Sequence, residues 1–107
     1  MKPHLYLQIA SKLRTTILRG DYAPEQQIPS IRRLAENEKC NPTTVQKAMK
    51  VLEEQNLVIS CGTLGYFVIA SEQEIKKLRY QESNKLVKIL FEKLGELDFS
   101  EDEIVNL

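Results

Sequence analysis

The stretch SIRRLAENEKCNPTTVQKAMKVLEEQ, residues Ser30–Gln55, decides the fold. Ser30 stands as an N-cap before Ile31, Leu34 and Ala35, and this spacing predicts a short helix ending near Asn37 or Glu38. Asn41-Pro42 opens a second helix. An Asn side chain accepts from the orphan N–H groups of a first turn, and a Pro at the first helical position has its φ already set. From there to Gln55 the pattern has two faces: Val45, Ala48, Met49 and Leu52 on one, and Thr43, Gln46, Lys47 and Lys50 on the other. Two helices, 30–38 and 42–55, joined by about three residues have helix-turn-helix spacing.

Upstream, Leu5, Ile9, Leu13 and Ile17 recur every fourth residue, with Tyr6 and Ala10 widening the stripe, so 4–19 reads as a helix that stops at Gly20. Asp21, Pro24 and Pro29 mark a loop with room for one short strand at Gln27-Ile28. Downstream, 57–60 and 66–70 are β-branched or aromatic runs around Cys61-Gly62-Thr63-Leu64-Gly65, which predicts a β-hairpin. Residues 72–94 return to helix with Ile75, Leu78, Leu86, Ile89, Leu90 and Leu94 as the stripe, broadened by Val87 and Phe91, and Gly95 is the expected stop. Ser100-Glu101-Asp102-Glu103 has the form of a capping box opening a last helix that carries Ile104 and Leu107.

Composition narrows the classes. The chain has 107 residues, enough for one domain plus a short appendage. No apolar run approaches the ~20 residues of a membrane helix, and Met1-Lys2-Pro3-His4 does not lead into a signal-peptide apolar region. Cys40 and Cys61 are too few for a disulfide scaffold and do not pair with His4 at zinc-motif spacing, so a reduced, cytoplasmic setting without metal or cofactor is expected. The net charge of +0 hides an asymmetry: residues 1–70 hold nine basic and six acidic groups, and 71–107 hold six basic and nine acidic. The first part therefore suits a polyanion.

Helix, short strand, helix, tight turn, helix and hairpin form the order of a winged helix-turn-helix, mainly α with one small β-hairpin. In such a unit the second helix of the pair enters a DNA major groove by its N-terminal end. Thr and Gln can hydrogen-bond base edges there, and Lys47 and Lys50 can meet phosphates or guanine. The organisation expected is 1–70 as a DNA-binding domain and 71–107 as a short helical dimerisation segment. Leu78, Leu86, Ile89, Leu90, Phe91 and Leu94 carry more apolar surface than one helix of a small domain hides, which points to a homodimer.

Residues 4–70 resemble the DNA-binding domain of the GntR family of bacterial transcription regulators. The resemblance rests on Leu5-Tyr6, Gln8-Ile9, Ile17-Leu18, Gly20, Pro24, Ile28-Pro29-Ser30, Arg32 and Leu34-Ala35. It continues through Thr44-Val45, Ala48, Leu52-Glu53, Leu57 and Gly65-Tyr66-Phe67-Val68. The short tail and the opening Asn41-Pro42-Thr43-Thr44-Val45 are similar to the small YtrA-like branch. The resemblance implies that Ser30 and Arg32 hold the DNA backbone, that Thr43, Thr44, Gln46 and Lys47 meet phosphates and bases, and that the wing tip, Thr63 to Gly65, approaches the minor groove; Arg33 joins them as an expected DNA-binding residue. Together with Lys50, these are the expected DNA-binding residues.

Three departures stand out. Glu25 and Lys39 occupy positions where the family usually has Gly, and the non-glycine residue at Lys39, in the inter-helix turn, calls for an unusual backbone. The wing has Ser60, Cys61 and Gly62 where a cation is common. Cys40 is expected to be a buried spacer, His4 a surface residue, and the acids 101–103 helix-start charges rather than a metal cluster. The expected function is that of a sequence-specific regulator, a repressor, bound as a homodimer to a two-fold operator. The alternative is a winged-helix module that binds protein. No catalytic constellation is legible, so an enzyme is not expected. Only 37 residues follow the hairpin, so a small-molecule effector, if the protein takes one, would sit at the dimer interface.

Overall fold

Asn41 caps the helix that organises the molecule: its side-chain oxygen accepts from the Thr43 N–H at 2.9 Å, and Pro42 takes the first helical position. In the computed structural model, which describes residues 4–107, this helix is α3, Pro42–Glu54. It follows α1, Leu5–Leu18, and α2, Ile31–Glu38. After it come β1, Val58–Ser60, a one-turn 3-10 segment at Gly62–Leu64, and β2, Tyr66–Val68. The chain continues as α4, Glu72–Glu96, and α5, Glu101–Val105. The opening Met-Lys-Pro, and with it the charge of Lys2, lies outside the described residues.

The chain divides into two compact units, one ending at Lys76 and the other comprising Lys77–Leu107. In the first, α1 and α2 both pack on α3, and β1 packs against it. Val45, Ala48, Met49 and Leu52 of α3 are fully buried together with Ile17, Leu57 and Val58. The α1 stripe is buried at Ile9, Ala10, Leu13 and Ile17, but Leu5 in its first turn is 49% exposed.

β1 and β2 are antiparallel, with Val58 opposite Val68 and Ser60 opposite Tyr66. The short strand expected at Gln27-Ile28 is a single antiparallel bridge, Gln27 to Phe67, on the other edge of β2. Around it Glu25 N–H donates to the Val68 carbonyl at 2.8 Å, Val68 N–H to Gln26 at 3.0 Å and Ile28 N–H to Tyr66 at 2.9 Å. The loop before α2 therefore acts as a third strand of the wing sheet.

Helices α1 to α4 end alike. A residue in the left-handed region follows each, and the next N–H reaches back five residues: Asp21 to Thr16, Cys40 to Ala35, Leu57 to Leu52 and Phe99 to Leu94. Those left-handed residues are Gly20 (φ 82°), Lys39 (φ 54°), Asn56 (φ 61°) and Asp98 (φ 69°). The helix stop expected at Gly95 is corrected here. Gly95 lies inside α4, which runs on to Glu96. A Gly inside a helix costs only about 1 kcal/mol, too little to end a helix whose terminus is fixed by the Asp98–Phe99 turn.

In the second unit Ser100 and Glu103 make the expected capping box. Ser100 Oγ accepts from Glu103 N–H at 3.2 Å and Glu103 Oε1 accepts from Ser100 N–H at 3.2 Å. Ile104 is buried here, and Leu78, Phe91, Leu94 and Phe99 are half-buried.

Candidate nucleic-acid interface

Three surfaces of the first unit carry the expected DNA-facing residues. The first is the outer face of α3. Because Val45, Ala48, Met49 and Leu52 turn inward, helical periodicity turns Thr43, Gln46, Lys47 and Lys50 outward, and all four are exposed. Thr44, one position round, is half-buried. This face offers one hydroxyl, one amide and two ammonium groups near the helix N-terminus. Glu53 and Glu54 stand at the far end. An amide that donates and accepts matches the edge of adenine, while lysines supply point charges for phosphates or guanine.

The second surface is the start of α2. The Ser30 side chain accepts from Arg33 N–H at 3.1 Å, which satisfies one orphan donor, and Ser30 is exposed. Arg32 is 89% exposed by its side chain and lies 4.0 Å from Glu36 Oε1, a contact too long and too wet to hold it. Ser30, Arg32 and Arg33 line an open groove with Glu36 and Asn37. Two guanidinium groups and a hydroxyl at a helix start are groups able to meet a phosphate, and the Glu36 carboxylate shares their groove.

The third surface is the wing. Thr63 and Leu64 are exposed on the 3-10 segment, and Gly65 follows with φ 101°, a conformation open to glycine. From Leu57 to Ser71 the chain carries no charged side chain. Cys61 is exposed and free, and Cys40 in the inter-helix turn is half-buried rather than fully enclosed.

The unusual backbone expected at Lys39 is present, and Glu25 adopts one as well. Glu25 has φ 69° and Lys39 φ 54°. The turn between α2 and α3 therefore keeps its left-handed step although a lysine sits there.

Sequence reasoning passed over contacts that hold these surfaces together. Lys12 Nζ lies 2.9 Å from Glu38 Oε1, and Arg14 donates to Gln55 Oε1 at 2.8 Å, so α1 is tied to the ends of α2 and α3. Gln27 Nε2 donates to the Leu64 carbonyl oxygen across 37 positions of sequence. No periodic signal announces such pairs.

The expected dimerisation residues lie in the second unit. Leu86 is 65% exposed and Ile89 and Leu90 are 51% exposed, while Leu78, Phe91 and Leu94 are half-buried. Among the described residues no group of three metal-binding side chains occurs, and no helix is long and apolar enough to cross a membrane.

The model of a family described as bacterial regulatory proteins, gntR family, matches residues 5–68. The chain is similar to the HTH-type transcriptional repressor YtrA of Bacillus subtilis, 33% identical over 64 residues, which cover 60% of this chain and 49% of that protein. Its fold is similar to that of a GntR family transcriptional regulator from Listeria monocytogenes, with a TM-score of 0.90 and 27% identity over 98% of this chain and 91% of the other. The chain is also similar to the AraR DNA-binding domain in complex with operator ORR3, with a TM-score of 0.61 and 28% identity over 64% of this chain and 82% of that one.

Proposed function

The chain belongs to the GntR family of bacterial regulatory proteins, and on that premise we propose that it is a cytoplasmic repressor that binds a two-fold DNA operator as a homodimer. Residues 1–70 form the DNA-binding domain and 71–107 the dimerisation segment in this reading. α3 enters the major groove, Gln46 reads a base edge, and Thr43, Thr44, Lys47 and Lys50 share phosphate and base contacts. Ser30, Arg32 and Arg33 grip the backbone, and Thr63 to Gly65 approach the minor groove.

One observation carries the reading. Thr43, Gln46, Lys47 and Lys50 of α3 are all exposed and Thr44 is half-buried, while Val45, Ala48, Met49 and Leu52 on the opposite face are buried completely. Repression is supported by the similarity to YtrA, whose name describes a repressor. The two-fold assembly is supported by the apolar face of α4 at Leu86, Ile89 and Leu90, with Leu78, Phe91 and Leu94 beside it. A two-fold protein reads a two-fold site. Any effector belongs at that dimer interface.

The test is selection of bound duplexes from a random pool by the full chain, followed by titration of the recovered duplex against salt. The expected result is a palindromic motif with half-site centres about 10–10.5 base pairs apart, or a multiple of that spacing, and affinity that falls steeply with salt. Absence of enrichment overturns the reading and favours a protein-binding module, which the uncharged wing also suits.

A further inference from the structure

We propose that the wing meets DNA through Leu64, as an apolar minor-groove contact, and that Gln27 is the residue that positions it. This rests on the DNA-binding reading above. Leu64 is 67% exposed at the crest of the wing, the last residue of the 3-10 segment. From Leu57 to Ser71 there is no cation to pair with a phosphate, so the wing has no ionic means of holding DNA. Its means are the Thr63 hydroxyl, backbone N–H groups and this leucine. Leucine is a side chain that minor-groove proteins press against or between base steps.

An apolar contact of this kind requires a backbone that does not swing away. Leu64 is held at its own carbonyl, which accepts from Gln27 Nε2. Gln27 is itself fixed by the bridge to Phe67 and by the flanking Ile28–Tyr66 and Val68–Gln26 hydrogen bonds. The clamp is tight on its other side. A Cβ at Gly65 would lie 3.3 Å from Gln27 Nε2, so glycine lets the amide approach the turn. Gln27 thus links the sheet edge to the exposed tip of the wing, and its proposed role is to position Leu64.

The probe is the duplex recovered by selection, titrated with native, Leu64→Ala, Leu64→Lys, Gln27→Met and Leu64→Ala/Gln27→Met proteins at several salt concentrations. Leu64→Ala is expected to weaken binding about 10-fold, the scale of about two buried methylene-sized groups, with the salt slope unchanged. Leu64→Lys should recover affinity and steepen the slope by about one unit. Gln27→Met keeps the side-chain length and loses the donor. It should weaken binding, and it should abolish most of the further effect of Leu64→Ala, which a purely structural glutamine would not do. Native-like affinity for Leu64→Ala, an exposed change that leaves the core intact, overturns the proposal while DNA binding stands. Additive losses in the double variant overturn the role of Gln27. Failure of the native protein to bind any selected duplex overturns the DNA-binding reading, and this proposal with it.

Discussion

Lys12 Nζ lies 2.9 Å from Glu38 Oε1, so the last residue of α2 is tied to α1 one position before the left-handed Lys39. The Lys12 end is 70% exposed, and such a pair is worth little by itself. Its position matters more than its strength, since it brackets the step that sets the angle between α2 and α3. The strained residue beside it has the larger thermodynamic effect. A non-glycine residue in the left-handed region costs roughly 1–2 kcal/mol, part of which glycine gives back in the unfolded chain. Lys39→Gly and Glu25→Gly are each expected to stabilise the protein by about 0.5–1 kcal/mol. Thermal unfolding checks this, and each variant should melt a few degrees above the native protein.

The two faces of α3 were legible because every inward position is apolar and every outward one polar, and burial follows that pattern without exception at 43, 45, 46, 47, 48, 49, 50 and 52. The caps at Ser30, Asn41 and Ser100 were legible because each uses local side-chain chemistry. The end of α4 was not. Gly95 looked like a stop, but the left-handed residue is Asp98, and nothing local separates the two. The Gln27–Leu64 clamp was equally hidden, because a side chain that meets a backbone carbonyl 37 residues away leaves no spacing to read.

The proposed dimer has Leu90 at the centre of its contact. Leu90→Asp would set an unpaired carboxylate in the apolar contact, raising the dimer dissociation constant by at least ~100-fold, about 3 kcal/mol. Analytical ultracentrifugation should show the variant as monomer with an unchanged first unit. A variant that stays dimeric removes the α4 face from the interface.

Arg32 tests the backbone grip. Its side chain is 89% exposed and free to reach a phosphate. Arg32→Ala is expected to weaken binding to all duplexes alike and to reduce the salt slope by about one unit. A loss confined to particular base pairs would assign Arg32 a reading role instead.

Thr63 tests the electrostatics of the wing. Thr63→Arg adds a cation where the chain from Leu57 to Ser71 has none. An added arginine supplies a phosphate or narrow-groove contact with little base information. Binding to non-operator duplex should tighten more than binding to operator, so specificity should fall. Titration of both duplexes at two salt concentrations measures it, and an unchanged non-operator affinity would place the wing tip clear of DNA.

The central claim is that the exposed face of α3 reads sequence, and Gln46 is the residue on which it turns. The direct measurement is affinity of native and Gln46→Ala proteins for the selected duplex and for every single-base substitution of it. Native protein should discriminate at each contacted pair, and Gln46→Ala should lose ~1–3 kcal/mol of discrimination at one base position per half-site, with the others retained. An equal weakening across all duplexes, with the discrimination pattern intact, would contradict the placement of α3 in the groove.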